Sequence, residues 1–168
     1  MIHDPVLLDA LENRGHGTWQ GRVFRHMLGS ASPELANVQG ARWNPPGTAA
    51  LYTSLAEATA RAEGDHLIAM QPLPPRAPRT IYEIEVVVHR LVDLSDEEEL
   101  QNVGSITDEE LRADDMSPCQ RIGAAVAWLG NDGLLVPSVR DEGQPNLVLF
   151  IDNQSSEKVM RVREERRL

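Results

Sequence analysis

The amino-acid sequence predicts one α+β domain, a small mixed or antiparallel sheet flanked by helices. Three observations lead there. The segment TIYEIEVVVH, residues 80–89, alternates: Tyr82, Ile84, Val86 and Val88 fall on one side and Glu83 and Glu85 on the other, the pattern of a half-buried strand. Helix-start signals are scattered among such strands without the regular βαβ rhythm of a parallel sheet. A length of 168 residues, 41% hydrophobic and 25% charged, suits one globular core and is too apolar for a disordered chain.

TWQGRVFRHM, residues 18–27, reads as the first strand, and GARWNPPGTAALYTS, residues 40–54, as a loop feeding a short second one. SLAEATARAEGDHLIAM follows as an alanine-rich helix opened by a capping box of Ser54 and Glu57. Projected at helical spacing, Leu55, Ala58, Thr59, Ala62, His66 and Ala69 form its apolar stripe, Glu57 and Arg61 lie opposite, and Glu63 sits at the border. QPLPPRAPR, residues 71–79, is an extended connector into the alternating strand. Ser95 with Glu98 and Thr107 with Glu110 mark two short acidic helices. Ser117-Pro118 with Gln120 opens CQRIGAAVAWLG, which Gly130 ends. GLLVPSVR and NLVLFID are strands joined by the polar turn DEGQP, and RVREERRL, residues 161–168, reads as a solvated terminal helix or strand end.

Charge and motif content exclude several functions. The net charge is −10, with acidity concentrated in residues 93–100 and 106–115, while the one basic stretch, RVREERRL, is broken by two Glu. Both features argue against direct contact with nucleic acid. No apolar run approaches the ~20 residues of a membrane span. Asp4, Asp9 and Glu12 stand where a leader would be basic, so a cytoplasmic location is expected. Cys119 is the single cysteine, which precludes an internal disulfide; in the first turn of its helix it reads as an inert, half-buried thiol. The histidines, at 3, 16, 26, 66 and 89, never adopt a metal-ligand spacing, so no metal is expected. Phosphate loop, dinucleotide fingerprint and nucleophile elbow are all missing.

What remains is a constellation. Arg42, Trp43, Asn44 and Tyr52 place a cation, an indole, an amide and a phenol within eleven positions, an inventory suited to a charged, partly aromatic small molecule. Taken singly, Arg42 also reads as a surface ion-pair partner, Trp43 as core, Glu63 as a boundary residue and Ser138 as a turn at a strand end.

Taken in order, FR at residues 24 and 25, GARWNPPG, LYTS, the A-x-x-E that ends at Glu63, GLLVPS and NLVL resemble the RES domain over about residues 18–150. That family is named for an Arg, a Glu and a Ser, and its members are toxins of bacterial RES–Xre toxin–antitoxin pairs. Ala41 stands where many members carry a second Gly, and Phe24 where a Tyr is common. The resemblance implies a fold similar to that of ADP-ribosylating toxins and destruction of NAD+ by hydrolysis or phosphorolysis. It also implies an Xre-type helix-turn-helix antitoxin as partner, and NAD+ as substrate with no cofactor besides. Carried over by motif, Arg42, Tyr52, Glu63 and Ser138 are the central site residues, Arg25 is a further ligand contact, and Asn146 joins the substrate-binding set. Two other uses of the family's site stay open: a protein ADP-ribosyltransferase, and an inactive module that only engages the antitoxin.

The chemistry agrees with that inventory. The nicotinamide of NAD+ is a cationic leaving group, so cleaving its ribosyl bond needs no general acid and one carboxylate suffices to stabilise an oxocarbenium-like transition state. That role falls to Glu63. Arg42 and Arg25 suit phosphate oxygens through their planar forks. Tyr52 offers a ring face for nicotinamide and a hydroxyl for orientation. Ser138, with no base identified beside it, fixes the nicotinamide or its ribose and is not a nucleophile.

Overall fold

The longest strand organises the sheet. In the computed structural model, which describes residues 3–73, 75–155 and 160–168, β3 (Arg79–Asp93) pairs along one edge with β1 (Gly17–Leu28), antiparallel from Gly17–Leu91 to Leu28–Arg79. Its other edge serves two neighbours in series: β6 (Met160–Arg167) antiparallel along Thr80–Val86, and β4 (Gly133–Pro137) parallel along Leu91–Asp93. β4 pairs with β5 (Pro145–Phe150), β5 with β2 (Ala50–Ser54), and β2 returns to β1, all antiparallel. The mixed sheet therefore closes on itself like a barrel, with β6 outside the ring. Its seam is thin at one place: among the described residues β1 and β2 are paired only at Phe24–Ser54.

Two apolar cores follow from the period of two along these strands. Val23, Leu51, Ile84, Val86, Val88, Leu135, Leu147 and Leu149 fill the inside of the ring. The alternate positions Ala50, Leu134, Val136, Val148 and Phe150 face outward and are covered by helices. These are α1 (Pro5–Arg14) through Leu7 and Leu11, α3 (Glu97–Gly104) through Leu100, α4 (Asp108–Arg112) through Leu111, and α5 (Ser117–Trp128) through Ile122, Ala125 and Val126. Strands β4 and β5 are thus buried on both faces, which is why GLLVP and LVLF read as unbroken apolar runs. The remaining helix, α2 (Glu57–Ala69), packs mainly on β1 and reaches β2 across the seam and β3 beside it. Among the described residues no helix is long and apolar enough to cross a membrane.

Helix starts show where local signals yield to stronger partners. Thr107 and Glu110 form the predicted capping box in full, at 3.2 and 2.9 Å. The others are replaced. Ser54 ends β2 and donates to Asn146 Oδ1, and α2 begins behind Ala56 with no side-chain cap. Asp96, not Ser95, caps α3 by accepting from the amides of Glu98 and Glu99. Ser117 lies inside α5, its amide held by the Asp115 carboxylate, and Gln120 reaches out to the Ala41 carbonyl. In both acidic cases an ionised carboxylate beside the hydroxyl offers the amides the stronger acceptor. Helix α1 was not anticipated, although Asp4 before Pro5 is a regular start signal and Asp4 accepts from the Val6 amide.

Four features differ from expectation. In α2 the buried positions are Thr59, Ala60 and Gly64, whereas Ala58 and Ala69 of the predicted stripe are exposed. An alanine-rich helix offers little polarity contrast, and its closest approach is set by Gly64: a Cβ there would come within 2.3 Å of the His26 ring. Glu83, expected to be solvated, is only 9% exposed because Arg22 and Arg166 pair with it. Arg166 also bonds Glu57 of α2, so the basic tail is a strand tied into the molecule through its side chains as well as its ladder. Cys119 is fully buried, and burial pushes its thiol up from the ordinary value, opposite to what a helix start alone would do.

Candidate functional site

Where β1 and β2 part, a cleft of about 350 Å³ opens between α2, the residue 41–43 loop and the start of the β4–β5 connection. The strands bring Arg25 and Tyr52 to its wall, α2 brings Glu63, and β5 brings Asn146. The strands are fixed by their own core contacts, so Arg25, Tyr52 and Asn146 stand on rigid supports.

Glu63 is the centre of the polar network. Its Oε1 accepts from Ser138 Oγ at 2.8 Å and from Asn146 Nδ2 at 2.7 Å. Ser138 is buried behind the wall, between the lining residues Pro137 and Val139, and its oxygen also accepts from the amides of Arg140 and Asp141, both at 3.1 Å. Asn146 is oriented in turn by Ser54 Oγ, which donates to its Oδ1 at 2.7 Å. Residues far apart in sequence therefore hold one carboxylate oxygen in place.

Tyr52 has a structural role. Its hydroxyl accepts from the Trp43 amide at 2.9 Å and donates to Asn44 Oδ1 at 2.7 Å, and Asn44 Nδ2 donates to the carbonyls of Asn37 and Thr48. Burial pushes the phenol above its usual range, so it stays a neutral donor. The hydroxyl thus organises the Arg-Trp-Asn loop, while the ring belongs to the cleft wall. Trp43 itself is core, 3% exposed. Tyr52→Phe is expected to leave the Trp43 amide and Asn44 Oδ1 without partners. That costs about 2 kcal/mol by the usual penalty for buried unsatisfied groups, and thermal denaturation should show it as a Tm lower by roughly 4–8 °C.

The two arginines are held differently. Arg42 Nη1 donates to the carbonyls of Leu111 at 2.6 Å and Ala113 at 3.1 Å, at the carboxyl end of α4, where a cation is favoured. Arg25 Nε contacts Met27 Sδ, Nη2 donates to the Leu35 carbonyl, and Nη1 is buried with no partner among the described residues. Burial pushes the Arg25 pKa down to about 10. A desolvated guanidinium with one unsatisfied donor is a site prepared for an anion. His26, further along the wall, accepts from Arg79 Nε at 3.0 Å, and burial followed by the Arg79 charge holds its pKa below the ordinary value.

All six residues singled out in the sequence converge here: Arg25, Arg42, Tyr52, Glu63 and Asn146 line the cleft, and Ser138 lies directly behind it. Of the supporting partners, Asn44 belongs to the constellation in the sequence, whereas Ser54, Thr59 and Asp141 stand outside it. Asn44 had a signal, since it is the amide in the motif block. The others become visible only when distant segments meet. Phe24 also lines the cleft, at the one point where β1 meets β2 among the described residues.

A family model of the RES domain matches residues 14–168. The NAD(+) phosphorylase MbcT proteins of Mycobacterium bovis and Mycobacterium tuberculosis are 27% identical over 150 residues, covering 83% of this chain and 79% of theirs. The crystal structure of the M. tuberculosis MbcT–MbcA toxin–antitoxin complex superposes with a TM-score of 0.85 at 23% identity, spanning 98% of this chain and 93% of that one. At that identity the structural likeness is one of fold.

Proposed function

Since the chain belongs to the RES domain family, we propose that it is a toxin that degrades NAD+ by cleaving the nicotinamide–ribose bond, with inorganic phosphate as the acceptor. The observation that carries this reading is the single Glu63 carboxylate, oriented through Oε1 by Ser138 and Asn146 at the wall of a cleft that also presents Arg25 and Arg42. The likeness to relatives named NAD(+) phosphorylase supports phosphate over water.

The reaction asks little covalent chemistry of the protein. As the bond between ribose C1′ and nicotinamide N1 breaks, its electron pair neutralises the pyridinium and positive charge develops on the ribose. Glu63 Oε2, which accepts neither of the two protein bonds, is the oxygen left to hydrogen-bond a ribose hydroxyl and stabilise that charge. A phosphate oxygen then forms the new bond to C1′, giving ADP-ribose-1″-phosphate and neutral nicotinamide. Arg25, desolvated and one donor short, takes a phosphate oxygen of the dinucleotide. Arg42 adds a second cation, while its bonds to α4 fix where that cation stands. The Tyr52 ring supports the nicotinamide, and Ser138 acts through Glu63. NAD+ enters as substrate, and the chemistry needs no further cofactor or metal. A helix-turn-helix antitoxin is the partner this function requires, because unrestrained loss of NAD+ stops growth.

The test is nicotinamide release from NAD+ by purified, antitoxin-free protein, with and without phosphate. Release accelerated by phosphate, with ADP-ribose-1″-phosphate as product, is the expected result. Plain ADP-ribose at the same rate in both conditions would make the acceptor water. No release from folded protein would overturn the reading.

A further inference from the structure

We propose that Thr59 and Asp141 are positioning residues that set where Glu63 stands, by clamping α2 to the connection between β4 and β5. Thr59 is completely buried, and its Oγ1 donates to Asp141 Oδ2 at 2.6 Å. This is a short, charge-assisted bond. Thr59 precedes Glu63 by four residues, one helical turn, so the two side chains lie one above the other on the same face of α2. Asp141 in turn donates its amide to Ser138 Oγ, and Ser138 Oγ donates to Glu63 Oε1. The bonds form a closed circuit: Glu63 to Ser138, Ser138 to the Asp141 backbone, the Asp141 side chain to Thr59, and one turn of helix back to Glu63.

Beside the clamp, α2 has ion pairs of Glu57 with Arg166 and of Asp65 with Arg79, but little interlocking packing near Glu63, and the connection is held mainly through its base. The connection is closed at its base by two backbone bonds, from the Ser138 amide to the Gln144 carbonyl and from the Gln144 amide to the Asp141 carbonyl. Its middle residues, 142–144, are exposed and supply no packing. On the helix side the neighbouring buried residues are Ala60 and Gly64, which are too small to interlock. An apolar contact between small side chains tolerates sliding, whereas a bond with a fixed length does not. Thr59 also opposes its local context. In an alanine-rich helix a β-branched residue lowers helix propensity, and a buried hydroxyl ordinarily bonds back to its own helix. Here it bonds across to Asp141, which identifies a tertiary role.

The kinetic arm of the test rests on the NAD+ reading of the site, and a spectroscopic arm does not. Thr59→Val keeps the shape and removes the hydroxyl, Thr59→Ser keeps the hydroxyl, and Asp141→Asn keeps an acceptor oxygen. With wild-type protein turning over NAD+, Thr59→Val is expected to lower kcat on the order of ten- to a hundredfold, the usual effect of a small misplacement of a catalytic group. KM should change little, because the arginines are untouched. Thr59→Ser should recover most of kcat, and Asp141→Asn should fall between. In parallel, the side-chain carboxyl ¹³C resonance of Glu63 should move in Thr59→Val and stay at its wild-type position in Thr59→Ser. That second readout decides the proposal even where wild-type protein fails to cleave NAD+, an outcome that would overturn the functional reading alone. A wild-type kcat and an unmoved Glu63 resonance in folded Thr59→Val, or equal losses in the Val and Ser variants, would overturn the clamp.

Discussion

Glu63→Gln is expected to reduce nicotinamide release from NAD+ by at least about a hundredfold, the effect of removing one preorganised electrostatic partner from a charge-developing transition state, with the fold and substrate affinity retained. Gln keeps the length of the side chain, and its amide oxygen can take the place of Oε1, accepting from Ser138 at 2.8 Å and Asn146 at 2.7 Å as the carboxylate does. What disappears is the negative charge. Because the leaving group departs already neutralised, the protein's main task is to stabilise positive charge on the ribose, and a neutral amide does that poorly. The loss should therefore appear in kcat. Calorimetric titration should find NAD+ affinity within a few fold of wild type, since Arg25 and Arg42, the proposed phosphate contacts, remain. A variant retaining more than a tenth of wild-type turnover would transfer the role to another group, and among the described residues lining the cleft Glu63 is the one carboxylate.

The contrast between what the sequence predicts and what the structure shows has a physical pattern. Strand faces were legible where burial is one-sided or complete, as in the alternation of Ile84, Val86 and Val88 or the apolar runs of β4 and β5. The site residues were legible because their order matches a family motif. They were not legible from spacing, since Ser138 meets Glu63 across 75 positions and Asn146 meets it across 83. The failures share a cause as well. Ser54 satisfies a capping-box pattern, yet its hydroxyl is taken by Asn146 because the β2–β5 register sets the two residues opposite each other. The inward face of α2 departs from its apolar stripe because its decisive residue, Gly64, contributes no hydrophobicity and acts by leaving room for His26. Local patterns state what a residue is able to do, and competition in the folded state decides what it does.

The second large effect belongs to another close approach, that of α5 to the Arg-Trp-Asn loop. Gly123 in the middle of α5 faces the Trp43 carbonyl so closely that a Cβ there would lie 1.7 Å from the oxygen. The obstacle is backbone, not the mobile end of a side chain, so Gly123→Ala cannot be absorbed by a change of rotamer. Helix or loop must move by more than an ångström. The helix is fixed by Ile122, Ala125 and Val126 in the core, and its Gln120 holds the Ala41 carbonyl. The loop must therefore give way, and with it go the Trp43–Tyr52 bond and the bonds of Arg42 to Leu111 and Ala113. Alanine's better helix propensity returns about 1 kcal/mol, against an overpacking cost of about 3 kcal/mol or more. The net loss of about 2 kcal/mol corresponds to a Tm lower by roughly 4–8 °C, with NAD+ affinity weakened at least tenfold as Arg42 leaves its place. Gly17→Ala is the control, since a Cβ at Gly17 meets nothing within 4 Å and its φ is not positive; it should stay within about 0.5 kcal/mol of wild type. Equal Tm values for Gly123→Ala and Gly17→Ala would mean that the loop adapts freely. In that case the motif block owes its geometry to Tyr52 and Asn44 alone and not to the helix behind it.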